Sequence, residues 1–149
     1  MLDGFSKLET IEVAWNKLTK LEILNCPELS SLMCQSNGIA ALDISGFSEL
    51  EMVLCSGNQL QQLKLGGCKS LTRLTCSDNK LAEVDLTGLK ELQQLRCDNN
   101  LLKQIDIKDC PDIQVLNCNG NEFLGTLKLR NGKNGACHRY NLQFDNCPA

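Results

Sequence analysis

The sequence is poor in aromatic residues, in long apolar runs and in charge of one sign. Only 4% of its 149 residues are aromatic whereas 42% are hydrophobic, so the core must be built from aliphatic side chains. No run approaches the roughly 18 apolar residues that a membrane-spanning helix needs. The formal net charge is −3 and there is no basic stripe, which argues against a nucleic-acid or anionic-membrane partner.

The residues that catalysis and metal binding require are also missing. The sequence has one histidine, His138, and it contains no nucleophile motif, no phosphate-binding glycine loop and no His/Asp/Glu cluster at ligand spacing. We therefore expect neither an enzyme nor a bound metal or cofactor. Cys137 beside His138 is interpreted as structural, and a catalytic or metal-binding pair is the alternative.

The first residues lack the basic and apolar regions of a signal peptide. This absence predicts a cytoplasmic chain. If the sequence is an excised segment of a larger protein, the alternative is an extracellular location.

What the sequence has in abundance is repetition every 21 residues. One column holds asparagine, one holds cysteine, and three hold mainly leucine or isoleucine. The polar columns are Asn16, Asn37, Asn58, Asn79, Asn100 and Asn121, and Cys34, Cys55, Cys76, Cys97 and Cys118, with Val13 in the first copy. The apolar columns begin at Leu8, Leu18 and Leu21 and end at Ile113, Phe123 and Leu127, the last after a slip of one residue.

Each unit divides into two half-repeats, L-x-C-x-x-N-x-L and L-x-L-x-x-C. Apolar residues alternate in both halves, which is typical of strands and not of helices. The pattern predicts two short strands per coil, joined by tight turns, with little or no α-helix. About six coils occupy residues 1–129, and residues 130–149 are predicted to form an irregular C-terminal coil or cap that continues the solenoid.

This pattern resembles bacterial leucine-rich repeats, specifically the short 21-residue nested class sometimes called IRREKO. The resemblance covers about residues 2–129. It implies a right-handed solenoid of stacked parallel β-strands whose exposed sheet binds another protein. Two features depart from the class: Cys, Phe or Leu fills a second-half position where Asn is usual, and the tail after Leu129 leaves the pattern.

The asparagine column has a structural interpretation. A buried amide that lacks a hydrogen bond costs about 1–3 kcal/mol, so we expect each Asn to bond to the backbone of its own coil and of the next. The result would be a ladder along the solenoid. Carbohydrate or metal binding by these residues is the alternative.

The cysteine columns are interpreted as buried small hydrophobes. Ligands 21 residues apart in a flat stack cannot converge on zinc, and Cβ atoms about 4.8 Å apart are too distant for an unstrained disulfide. A second column, Cys26, Cys68 and Cys110, alternates with Phe47 and Leu89, an exchange that packing explains. Reduced thiols also favour a reducing compartment.

The last two cysteines fall outside the regular array. The segment 142–148 echoes 105–111, which predicts that Cys147 continues the second cysteine column. A Cys137–Cys147 disulfide is the alternative.

Function is expected on the outward positions of the first strand in each coil. Met33, Met52 and Leu54 should form an apolar patch, with Arg73, Thr75 and Arg96 beside it. Apolar patches rimmed by polar residues often mark interaction sites, and a merely solvated sheet face is the alternative. Trp15 is either a cap of the first coil or a contact residue.

The outward positions of the second strand form a different face. They are Glu22, Asp43, Lys64, Asp85, Asp106 and Lys128, in which opposite charges can pair between coils. We interpret this face as solubilising, and an acidic docking surface is the alternative.

These observations predict a protein–protein interaction module that presents a variable strand face to a protein partner. The alternative is a structural or adhesive repeat segment of a larger bacterial surface or effector protein. Solenoids need polar caps at their ends. None is evident before Ile11, which indicates either a fragment or end-to-end self-association.

Overall fold

The computed structural model describes residues 1–129 and the strand at residues 141–143. The described chain contains thirteen short strands and no helix. The strands are β1 (Leu2–Asp3), β2 (Thr10–Glu12), β3 (Ile23–Leu24), β4 (Ser31–Met33), β5 (Ala41–Asp43), β6 (Met52–Leu54), β7 (Gln62–Lys64), β8 (Arg73–Thr75), β9 (Gln94–Arg96), β10 (Gln104–Asp106), β11 (Val115–Asn117), β12 (Thr126–Lys128) and β13 (Asn141–Gln143). The predicted solenoid of stacked short strands is thereby confirmed.

One side of the solenoid is a continuous parallel sheet of seven strands, in the order β13-β11-β9-β8-β6-β4-β2. Neighbouring coils pair with the 21-residue offset of the repeat, so that Leu32 faces Val53 and Val53 faces Leu74. These central residues are fully buried, whereas the residues on either side of them point outward. The sheet therefore has one face in the core and one face available to solvent.

The other side of the coils is interrupted. There the strands form three separate pairs, β1-β3, β5-β7 and β10-β12. No strand forms at residues 83–85, where the repeat predicts one. Strand β3 begins three residues later in the repeat than β5, and no ladder joins these two strands. Most coils therefore have a second strand, but these second strands do not build a continuous sheet.

The core is aliphatic, as the low aromatic content predicts. Buried Leu, Ile, Val and Cys side chains form one continuous cluster along the described coils. Phe5, Trp15 and Phe123 are 51%, 80% and 55% exposed. No helix in the described part of the chain is long and apolar enough to cross a membrane.

The position of Phe123 corrects the expected apolar column. Phe123 is exposed, and Leu124 occupies the buried site instead. Leu124 lies three positions after Asn121, whereas Leu102 lies two positions after Asn100, because one residue is inserted in this turn of the sixth coil. The following strand β12 accordingly pairs with β10 at an offset of 22 residues.

The strand at residues 141–143 corrects the expected phase of the tail. Leu142 pairs with Leu116 in the seven-stranded sheet, not with the strand that contains Ile105. The similarity of 142–148 to 105–111 does not determine the pairing of this strand, because both halves of the repeat share the same apolar alternation. Cys137, His138 and Cys147 lie outside the described residues.

Candidate functional site

The asparagine ladder fixes the turn that follows each strand of the continuous sheet. The Asn79 amide donates to the carbonyls of Cys76, Ser77 and Cys55, at 3.0, 3.1 and 3.1 Å. Its Oδ1 accepts the backbone N–H of Leu60 at 2.9 Å. Equivalent bonds are made by Asn37, Asn58, Asn100 and Asn121.

These bonds support the structural interpretation of the column, with one correction. Each amide bonds to its own coil and to the preceding coil, whereas the next coil was expected. The Oδ1 atom of Asn79 shows this direction, because it accepts from Leu60, which lies 19 positions earlier in the chain. Asn16, in the first coil, makes only two bonds within its own coil and is exposed.

The cysteines of the repeats line the core. All eight described cysteines are buried, and the Cys55 thiol donates to the Thr75 carbonyl of the next coil at 3.4 Å. Burial raises the pKa of the Cys34 and Cys76 thiols to about 12, and that of Cys68 to about 11. These thiols are therefore protonated at neutral pH and are poor nucleophiles. In the described residues, no group of three or more His, Cys, Asp or Glu side chains could hold a metal ion.

Trp15 lies in a turn position that requires left-handed backbone. The residues of this column are Trp15, Ser36, Gly57, Asp78, Asn99 and Gly120, and all six have positive φ angles, between 53° and 66°. A bulky side chain is rare in this region because its Cβ is crowded. The Trp15 side chain is 80% exposed, so it does not shield the end of the core. The capping interpretation is therefore wrong.

The outward face of the continuous sheet brings the predicted site residues together. Its side chains form two rows across the strands. One row is Thr10, Ser31, Met52, Arg73, Gln94 and Val115, and the other is Glu12, Met33, Leu54, Thr75, Arg96 and Asn117. Met33 and Leu54 are direct neighbours in their row, and Met52 lies next to Arg73 in the other. We call Met33, Met52, Leu54, Arg73, Thr75 and Arg96 the sheet-face patch.

The apolar and the charged members of the sheet-face patch differ in their exposure to solvent. Met33, Met52, Leu54 and Thr75 are half-buried, whereas Arg73 and Arg96 are exposed. The apolar part is thus a shallow surface between neighbouring side chains. Neither arginine has an ion-pair partner, since the ion pairs in the described chain are Lys7–Glu28, Lys20–Glu22, Lys64–Asp43 and Lys128–Asp106.

The opposite face carries paired charges. Lys64 contacts Asp43 at 3.0 Å, and Lys128 contacts Asp106 at 3.5 Å, as the alternating charges predict. Hydrogen bonds from Lys64 and from Ser45 lower the pKa of Asp43. These groups satisfy one another at the surface, which supports the interpretation of this face as solubilising.

A groove on the interrupted side of the coils was not predicted from the sequence. The groove has a volume of about 910 Å³ and is lined by Leu21, Ile23, Leu24, Leu42 and Phe47, among others. It lies where β3 and β5 fail to pair, and Leu24 is 50% exposed. The sequence contains a signal of this groove, because Leu24 is large and apolar at a position that is small or polar in later coils. The equivalent residues there are Ser45, Gly66, Thr87 and Lys108.

Comparison with solved structures identifies the architecture. The functional domain of InlJ from Listeria monocytogenes, which includes a cysteine ladder, is similar with a TM-score of 0.73 and 30% identity, over 83% of this chain and 30% of that one. The leucine-rich effector protein YopM from Yersinia pestis is similar with a TM-score of 0.54 and 22% identity, over 95% and 46%. The fold is a leucine-rich-repeat solenoid.

TLR13, solved in complex with ssRNA13, is a third similar structure, with a TM-score of 0.54 and 20% identity over 72% of this chain and 20% of that one. At this level of identity, the TLR13 and YopM similarities show the fold alone. The chain spans about 30% of the length of the InlJ structure. No protein-family model matches the chain. No curated protein matches it either.

Proposed function

We propose that this leucine-rich-repeat solenoid is a protein-binding module and that the sheet-face patch is its contact surface. The observation that carries the proposal is the side-by-side placement of Met33, Met52 and Leu54 on β4 and β6. Half-buried apolar side chains rimmed by polar ones are characteristic of interaction sites. Methionine side chains also adapt their shape to a partner. The recurrence of a 21-residue unit supports assignment to the short nested class of leucine-rich repeats.

A selection experiment tests this surface. The folded domain is used to select binders from a phage-displayed library of random 12-residue peptides, and the enriched peptides are synthesised and titrated. We expect the double variant Met33→Asp/Leu54→Asp to bind these peptides at least tenfold more weakly, because a charge placed at the centre of an apolar contact remains desolvated.

The matched control places the same charges on apolar residues elsewhere. Leu101→Asp/Phe123→Asp alters two side chains that are 39% and 55% exposed and lie outside the sheet-face patch. This control should bind like the wild type. Because Met33 and Leu54 are half-buried, the milder Met33→Gln/Leu54→Gln variant and a thermal melt separate lost contact from lost folding. Equal binding by all folded variants would overturn the proposal.

A structural role with end-to-end association is a second candidate function. Within the described sheet, strand β2 pairs only with β4 and leaves one edge unpaired. Unpaired edges are templates for strand addition. Sedimentation velocity over a hundredfold range of concentration tests it: association should be suppressed by Thr10→Pro, and a monomer at every concentration would overturn it.

A further inference from the structure

We infer that the partner presents an acidic side chain beside an apolar one, and that Arg73 and Arg96 together bind that carboxylate. This inference rests on the proposed function, because it assigns a chemistry to the partner of the sheet-face patch. The sheet-face patch is complementary to a carboxylate in charge, because its members other than the two arginines are apolar or neutral.

Arg73 and Arg96 are close enough to act on one group. They lie on the adjacent strands β8 and β9, where Arg73 pairs with Gln94 and Thr75 pairs with Arg96. Paired strands lie about 4.8 Å apart and two residues along a strand span about 6.6 Å, so the Cα atoms of Arg73 and Arg96 are about 8 Å apart. Two guanidinium groups at that separation can converge on a single carboxylate. Thr75, which pairs with Arg96 and lies two residues after Arg73, has a hydroxyl that can also donate.

The two arginines lack a carboxylate partner within the described chain. The nearest candidates along the fold are Glu51, whose backbone carbonyl accepts the Arg73 N–H at 3.1 Å, and Asp98, two residues after Arg96. The Asp98 carboxylate accepts instead from the Ser77 hydroxyl at 2.6 Å. No carboxylate lies within ion-pair distance of either guanidinium in the described residues. Two like charges held close together on an exposed face favour an anion between them.

The arrangement also sets the spacing of the partner's side chains. Met52 is one strand away from Arg73, and Leu54 is two strands away from Arg96. At the spacing of paired strands these separations are about 5 and 10 Å, which one to three residues of an extended peptide span. A binding peptide should therefore carry Asp or Glu within three residues of a large apolar side chain.

A charge-exchange selection tests the inference. The 12-residue peptide library is selected in parallel against the wild type and against Arg73→Glu/Arg96→Glu. Peptides enriched on the wild type should contain Asp or Glu near Leu, Met, Ile or Phe. Those enriched on the variant should carry Lys or Arg at the same distance. Replacing the acidic residue of the best wild-type peptide by its amide should weaken binding about tenfold.

Two control variants separate charge from geometry. Lys80→Glu/Lys90→Glu makes the same change in net charge at exposed residues outside the sheet-face patch, and it should keep the wild-type preference. Arg73→Lys/Arg96→Lys keeps both charges but loses the planar donor fork. It should bind the acidic peptide more weakly than the wild type and more tightly than the glutamate variant.

The outcomes distinguish this inference from the proposed function. Peptides without acidic residues that bind equally well to the Arg73→Glu/Arg96→Glu variant, yet depend on Met33 and Leu54, would overturn the inference and leave the function standing. Peptides that depend on neither group, or no enriched peptide at all, would overturn both. A 20-nucleotide oligouridine that binds in an arginine-dependent manner, in the absence of acidic peptides, would replace the carboxylate with a nucleic-acid phosphate.

Discussion

The two sides of each coil have similar leucine spacing, yet only one side forms a continuous sheet. On the continuous side, seven strands pair into one sheet, and six of them pair at the 21-residue offset of the repeat. On the interrupted side, the strands form three isolated pairs. The polar residues at the strand ends explain the difference. Asparagines on one side bond to the backbone of two coils, whereas aspartates on the other side bond to the backbone of their own coil.

On the continuous side, the polar residue is an asparagine that joins neighbouring coils. Asn58 Oδ1 accepts from Ile39 of the preceding coil at 3.0 Å, while its amide donates to carbonyls of both coils. An amide can donate and accept at once, so each asparagine fixes the distance and the register between two coils. Register is therefore repeated from coil to coil.

On the interrupted side, three coils carry an aspartate at the corresponding position, and its carboxylate bonds to the backbone of its own coil. Asp43 accepts the N–H of Ser45 at 3.1 Å, and Asp85 accepts that of Thr87 at 2.9 Å. A carboxylate only accepts hydrogen bonds, and these short-range bonds occupy N–H groups that a ladder between coils would use. The lesson is that a polar column aligns a solenoid only when its hydrogen bonds cross from coil to coil.

The largest expected effect comes from the buried thiols. The folded-state pKa of Cys34, Cys76 and Cys110 is raised by burial to about 12 and that of Cys68 to about 11, from an ordinary value of 9.0. The folded state thus holds protons that the unfolded chain releases above pH 9. The stability that these groups contribute is complete below pH 9 and falls as the pH rises toward about 12.

Each such thiol lowers the free energy of unfolding by about 1.4 kcal/mol per pH unit in that window. We therefore expect the free energy of unfolding to fall by up to about 5 kcal/mol between pH 8 and pH 10, measured by urea titration under reducing conditions. The Cys76→Ala variant should show a smaller dependence on pH. Equal urea midpoints at pH 8 and pH 10 would contradict the prediction.

The asparagine ladder should give the next largest effect. Asn79→Ala removes bonds to three carbonyls and one N–H in a buried turn, so we expect a loss of at least about 3 kcal/mol in the free energy of unfolding. Asn16→Ala, the matched control in an exposed turn, should cost less than about 1 kcal/mol. Chemical denaturation of both variants measures the difference, and similar losses would disprove the role of bonds between coils.

Two valines compare the sides directly. Val53 is fully buried in the continuous sheet, whereas Val84 is half-buried where the second strand is missing. Val53→Ala should lower the free energy of unfolding by about 2 kcal/mol, and Val84→Ala by less than half of that. The comparison uses one chemical change at two sites. A larger loss at Val84 would show that the interrupted side carries more of the packing energy.

The smallest effect is expected at the surface ion pairs of the interrupted side. Lys64 and Asp43 are both about half exposed, and such pairs contribute about 0–1 kcal/mol. Lys64→Ala should therefore leave the melting temperature nearly unchanged in 0.5 M salt. A substantial loss that persists at this salt concentration would mean that the pair helps to hold β5 and β7 together.

Most of the continuous side was predictable from the sequence. The 21-residue recurrence identified the strands, the buried residues, the ladder and the aliphatic core, because identical residues stack on one another in a repeat. The outward positions of Met33, Leu54 and Arg96 followed from strand alternation alone. Strand alternation and the 21-residue repeat are therefore sufficient to predict that the members of the sheet-face patch lie on neighbouring strands.

The remaining features depended on tertiary structure. The direction of the asparagine bonds, the exposure of Trp15, the replacement of Phe123 by Leu124 and the groove beside Leu24 are differences between coils, which a consensus pattern averages away. The sequence by itself determined which residues recur and hence which face is buried. Only the folded chain decided where neighbouring coils hydrogen-bond, because that choice depends on whether each polar group bonds within its own coil or across to another.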